Sequence, residues 1–174
     1  MKESEQQHIF NTWLSQYKAL LFKVVRAYAF TEFDRDDLFQ EITIQVWHSI
    51  PKFRHESAAS TWLYRVSLNT AMRWSMKEKK HNDGRESIEG LPSAHPLLLQ
   101  EQATHNDEKL AWLYAEIALL SEVERSLTLL LLDGFSYKEM ADMVGLTETN
   151  IGVKIHRIKK HLTTQSKKYE HYGV

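Results

Sequence analysis

The stretch GLTETNIGVKIHRIKKHL, Gly145 to Leu162, carries cations and hydrogen-bonding side chains at helical spacing. On a helix, Ile151, Ile155, Ile158 and Leu162 fall on one side, which turns Thr149, Val153, His156, Arg157 and Lys160 outward. That outward content suits a DNA major groove. Arg157 and Asn150 offer paired hydrogen bonds to a base edge, and Val153 offers contact only to a thymine methyl or sugar. Gly152 lowers helix propensity by about 1 kcal/mol relative to Ala and offers no side chain to a base, so specificity from this helix alone is modest. The competing reading is an amphipathic helical pair whose charged side is merely solvated.

A second stretch, WLYRVSLNTAMRW from Trp62 to Trp74, sets aromatics beside Arg65, Asn69 and Arg73, after the small polar loop FRHESAAS. Aromatics next to cations stack on unpaired bases and hold a single-strand backbone. The competing reading makes Trp62, Leu63, Val66 and Trp74 core, and Trp62 and Leu63 fit that reading better. Catalytic and metal chemistry is poorly served. The nine histidines form no His-x-x-x-His pair, there is no Gly-rich phosphate loop, and Asp34, Asp36 and Asp37 lack calcium-loop spacing. The chain reads as non-enzymatic, with no cofactor and no metal.

Helices must position these residues. With six glycines, three prolines and no alternating β-branched runs, the 174-residue chain reads as all-α, sized for two small helical domains. Apolar residues recur at helical spacing over Ile9–Tyr17 and Leu20–Tyr28. Asp34, Asp36 and Asp37 are expected at the start of a helix that Pro51 ends, and another helix is expected from about Ser60 to Lys80. Residues 81–106, with two of the prolines and most of the excess acid, read as a flexible acidic linker between domains at 1–80 and 107–174. Beyond it, helices are expected over about 107–119 and 121–132, the second opened by the capping box of Ser121 and Glu124. Ser136 and Glu139 form a second capping box, Gly145 suits a left-handed helix end, and Thr147 caps the basic helix, which together spell a helix-turn-helix.

Charge follows the same division. The formal net charge is −1, yet residues 1–80 carry 12 Lys/Arg against 9 Asp/Glu, residues 81–108 carry 1 against 6, and residues 147–174 carry 6 against 2. Local basic patches rather than the total govern attraction to phosphate. No run of roughly 20 apolar residues and no signal peptide is present, which implies a cytoplasmic protein with no membrane insertion. The absence of cysteine excludes disulfides and thiolate metal sites.

RDDLFQEITIQVWHSIPKFRHESAASTWLYRVSLNTA resembles the region-two domain of bacterial sigma factors of the extracytoplasmic-function subfamily. LSEVERSLTLLLLDGFSYKEMADMVGLTETNIGVKIHRIKKHL is similar to their region-four domain. The two resemblances span about 17–80 and 107–163, in the family's order and with a linker between them. The resemblance implies a sigma factor that binds RNA polymerase core, reads the minus-ten and minus-thirty-five promoter elements and stabilises the melted strand.

It also implies roles for individual residues. Asp37, Gln40, Glu41 and Trp47 lie on the helix that docks on the clamp helices of the polymerase largest subunit, while Leu38, Ile42 and Val46 pack inward. Arg54 to Ser60 matches the loop that captures a flipped minus-ten base, and Thr61, Arg65, Asn69 and Arg73 lie on the helix that binds the melted strand. Thr149, Asn150, Val153, Lys154, His156, Arg157 and Lys160 belong to the minus-thirty-five reader. The partners implied are core polymerase, through clamp helices and flap, promoter DNA as duplex and melted strand, and an anti-sigma factor. Asn150-Ile151-Gly152-Val153-Lys154 stands where many members have Thr-Val-Lys-Ser-Arg, Arg73 replaces a common acid, and Ala58 and Ala59 stand where an aromatic is frequent. These departures bear on which promoter is read. The acidic linker, with Glu86, Glu89 and Glu101, fits a polymerase channel by imitating phosphate charge, against the plain reading of a hydrophilic linker. The alternative function is a stand-alone helix-turn-helix regulator that binds closed duplex DNA.

Overall fold

The computed structural model describes residues 2–83 and 105–172. Eight α-helices and one 3-10 turn account for its regular structure, with no strand among the described residues, as the composition requires of an all-α chain. The chain divides into two compact units, Met1–Ala103 and Thr104–Val174. Residues 84–104 of the acidic stretch, including Glu86, Glu89 and Glu101, lie outside the described residues. Among the described residues no helix is long and apolar enough to cross a membrane.

The first unit holds α1 (Glu3–Gln16), α2 (Lys18–Tyr28), α3 (Glu32–Ser49), a 3-10 turn (Ile50–Lys52) and α4 (Ala59–Asp83). Its core joins Leu21, Val24 and Tyr28 of α2, Leu38, Ile42 and Val46 of α3, and Leu63, Leu68 and Ala71 of α4, all 1% exposed or less. Spacings of three and four residues on α2 and α3, and of five and three on α4, give each helix one apolar side, and each large side chain contributes about 1.5–3 kcal/mol on burial. Ser67 and Thr70 enter this core because each hydroxyl donates to the carbonyl one turn back, of Leu63 and Val66, at 2.8 Å.

The start of α3 differs from the sequence expectation. Thr31 is the N-cap, its hydroxyl accepting the Asp34 N–H at 3.1 Å, and Glu32 and Asp34 fill the first turn. Asp36 and Asp37 lie further along the helix, because a threonine was available to cap it earlier. Pro51 falls in the 3-10 turn that follows, as a residue without an N–H suits a helix end.

The second unit holds α5 (His105–Ala118), α6 (Glu122–Leu132), α7 (Tyr137–Val144) and α8 (Glu148–Tyr172). Both capping boxes form, Ser121 with Glu124 and Ser136 with Glu139. Gly145 ends α7 at φ 73°, and its N–H donates to the Ala141 carbonyl at 2.9 Å. Thr147 Oγ1 then accepts the Asn150 N–H at 3.2 Å, opening α8. Met140 of α7 and Ile151, Ile155 and Ile158 of α8 are buried, with Leu162 half-buried beyond them. Arg125 is also buried, 5% exposed, because its guanidinium serves carbonyls at the end of α5: Nε donates to Leu120 at 3.0 Å and Nη2 to Ala118 at 2.7 Å.

Gly145→Ala is expected to destabilise the unit by about 1–2 kcal/mol in urea unfolding, the cost of a left-handed backbone for a residue with a Cβ. The loss is conformational, since no atom lies within 4 Å of the added Cβ. The Glu139 carboxyl is held below its ordinary pKa first by the Ser136 backbone N–H and then by the Ser136 hydroxyl. A depressed pKa in the folded state stabilises at neutral pH and is lost as pH falls through that lowered value. Ser136→Ala is expected to move the Glu139 titration, followed by carboxyl NMR, back towards the ordinary carboxylate range.

Candidate nucleic-acid interface

On α3, Asp37 and Gln40 are exposed on one side, with Glu41 and Trp47 half-buried at its margins. Gln45 Nε2 donates to Glu41 Oε1 at 3.1 Å, and the Trp47 ring meets Phe10 edge-on with centroids 5.3 Å apart. Asp37 is engaged within the unit: Trp74 Nε1 on α4 donates to its Oδ2 at 2.7 Å. Sequence reading left Trp74 open between a stacking surface and the core, and in the structure it is a half-buried donor to a carboxylate 37 residues away. Trp74→Phe keeps the ring and removes the N–H, and is expected to cost about 1 kcal/mol in thermal unfolding.

Between α3 and α4 runs a groove of about 490 Å³ lined by Asn69, Arg73 and Met72 of α4, Gln45 and His48 of α3, and Lys52 of the turn. Arg65 and Arg73 are exposed, and Thr61 and Asn69 are half-buried on the same side of α4. Ser60 is half-buried in the first turn. Lys52, His48 and Gln45 were not singled out from sequence. What brings them here is the turn at Pro51, which folds the end of α3 back towards α4.

The loop before α4 rests on Phe53. That ring packs edge-on against Trp13 at 5.2 Å, tilts against Trp62 at 5.6 Å and underlies the His55 ring at 4.4 Å. Trp62 is half-buried, its Nε1 donating to Ser49 Oγ at 3.3 Å, so it serves packing more than a free stacking surface. Arg54 through Ala58 are exposed, and His55, the one of them seen to rest on the Phe53 ring, takes φ 59°, left-handed without being glycine.

On α8 the outward set appears as spacing requires: Thr149, Asn150, Val153, His156, Arg157 and Lys160 are exposed and Lys154 is half-buried. Gly152 flanks this side, and a Cβ there would meet the Tyr137 ring at 3.7 Å, ordinary contact. Gly152→Ala is therefore expected to stabilise the second unit by about 0.5–1 kcal/mol in urea unfolding. Among the described residues no group of three or more His, Asp or Glu is arranged to hold a metal ion.

The family models for Sigma-70 region 2 and for Sigma-70, region 4 match residues 13–81 and 110–162, together more than two thirds of the chain. The ECF RNA polymerase sigma-E factor of Escherichia coli strain K12 is 25% identical over 162 residues, covering 88% of this chain and 84% of that protein. Its Haemophilus influenzae counterpart is 25% identical over 159 residues, covering 87% and 84%. Among solved structures, the sigma factor RpoE in complex with the anti-sigma factor NepR from Bartonella quintana matches with TM-score 0.64 and 22% identity, covering 92% of this chain and 98% of that one. CnrH, in complex with the cytosolic domain of CnrY, matches with TM-score 0.62 and 20% identity, covering 93% and 90%. The two structures share the fold, and the matched regions contain the groove over α4 and the helix-turn-helix. With both regions present in that order, the chain belongs to the sigma-70 family, in its extracytoplasmic-function (ECF) group.

Proposed function

We propose that this sigma factor docks on RNA polymerase core through the exposed side of α3, reads a duplex minus-thirty-five element with α8, and holds the melted minus-ten strand on the loop 54–60 and α4. One observation carries the reading furthest. In addition to a helix-turn-helix with a basic outward side, the same chain presents a groove lined by the cations Lys52 and Arg73, which a closed-duplex reader does not need. The residues assigned to docking are Asp37, Gln40, Glu41 and Trp47; those assigned to the strand are Arg54, Ser60, Thr61, Arg65, Asn69 and Arg73. Thr149, Asn150, Val153, Lys154, His156, Arg157 and Lys160 are assigned to the duplex.

Strand separation on this scheme comes from trapping unstacked bases, with each stacked base contributing about 1–3 kcal/mol. The protein is a polymerase subunit rather than an enzyme in its own right. Because the similar RpoE structure holds the anti-sigma factor NepR, we extend the proposal to an anti-sigma partner for this chain.

Run-off transcription with core polymerase on a mixed promoter library is the test. Protein-dependent transcripts aligned at their start sites would reveal both promoter elements. Absence of transcripts and of core binding, with tight duplex binding retained, would point instead to a stand-alone regulator. On a matched promoter, Arg157→Ala is expected to weaken duplex binding by about 1–3 kcal/mol, the value of a bidentate base contact. An equal loss on scrambled duplex would make Arg157 a phosphate anchor.

A further inference from the structure

The matched region-four segment ends at residue 162, yet α8 continues unbroken to Tyr172. We propose that this extension carries a second phosphate-binding site, Lys167 and Lys168, which engages the duplex backbone beside the segment read by Thr149 to Lys160. The proposal rests on the DNA-binding reading of α8 given above.

Register is the first support. At 3.6 residues per turn, Lys167 falls within about 20° of Thr149 and Lys160 around the helix axis, and Lys168 within about 20° of Arg157. All five side chains are exposed, so the basic side of α8 runs on past the helix-turn-helix instead of rotating away from it. No ion pair among the described residues neutralises Lys160, Lys167 or Lys168.

Rigidity is the second. The Tyr169 ring, on the other side of α8, lies 5.4 Å from the Trp112 ring of α5 at a 32° tilt, and His161 Nε2 is 3.0 Å from Glu116 Oε2. The Tyr169–Trp112 contact ties the extension to α5 on a side away from the lysines, and the His161–Glu116 contact does the same just before it.

Reach is the third. Thr149 and Lys167 are separated along the axis by about 27 Å, at 1.5 Å per residue. A major groove is about 12 Å wide, so a helix whose first turns occupy it carries residues 167 and 168 beyond the groove wall, over neighbouring phosphates. Lysine, a flexible point charge, suits that backbone and carries no base preference.

The test uses holoenzyme assembled from the full chain and core polymerase, on a promoter duplex defined by the run-off mapping. The variant is K167Q/K168Q, whose exposed positions leave the helix intact, as a thermal melt would verify. The slope of log affinity against log salt is expected to fall by nearly two, about 0.9 per phosphate, with an affinity loss on the order of tenfold at moderate salt. Methylphosphonate linkages flanking the minus-thirty-five element should weaken the unaltered protein and leave the variant indifferent. An unchanged slope and affinity, with Arg157→Ala still weakening binding, would reduce the lysines to a solvated side and leave the reading of α8 intact. A variant whose loss persists on neutral flanks would place the contact on the polymerase and overturn the proposal. If Arg157→Ala is also silent, the duplex-reading assignment of α8 fails with it.

Discussion

Arg125→Ala is expected to lower the stability of the second unit by about 3 kcal/mol, the largest loss in that unit among the substitutions considered. The guanidinium is 5% exposed and donates to the carbonyls of Leu120 and Ala118, so truncation strands two acceptors at the end of α5 and opens a void beside α6. A cation there also offsets the negative end of the α5 dipole, which alanine cannot do. Because the chain has two units, a single denaturation midpoint would blend them. Hydrogen exchange resolved by helix is the suitable measurement: protection should fall across α5 to α8 and remain in α1 to α4. A loss under 1 kcal/mol would mean that water replaces the guanidinium without cost.

Phe53→Ala is expected to cost about 3 kcal/mol in the first unit and to disable promoter opening beyond that. Trp13, Trp62 and His55 all meet the Phe53 ring, and aromatic pairs contribute about 0.5–1.5 kcal/mol each beyond the area they bury. Removing the ring takes the support from beneath His55, within the loop 54–60 assigned to base capture. Duplex binding through α8 should survive, while permanganate reactivity of the minus-ten strand in holoenzyme should disappear. Phe53→Leu separates the two effects, since it restores bulk without an aromatic surface for His55. Opening retained in the alanine variant at a permissive temperature would count against the loop as the capture element.

The local grammar of the helix-turn-helix was readable without coordinates. Ser136, Glu139, Gly145 and Thr147 act within four residues of their partners, where one side chain meets one backbone group, and each does what its type implies. The outward set on α8 followed from helical period alone. Contacts between distant segments were harder. Trp74 reaches Asp37 across 37 residues, and no periodicity distinguishes a tryptophan that donates to a carboxylate from one that fills a core. Arg125 gave no such signal, because the partners shown for it are backbone carbonyls, which every residue possesses. The start of α3 was misplaced because three aspartates outweighed one threonine in the sequence, although a single well-placed hydroxyl suffices for a cap.

The left-handed backbone of His55 has a kinetic meaning. A loop that acquires its shape only on meeting nucleic acid must search conformations at each encounter and gives up entropy when it settles. In the structure the imidazole already rests on the Phe53 ring, so if residues 54–60 capture an unstacked base as proposed, that base meets a surface arranged beforehand. On that proposal the lifetime of a captured base is governed by how quickly contacts break, with little delay from loop rearrangement. Glycine at position 55 would relieve the torsional strain and return the search to every binding event.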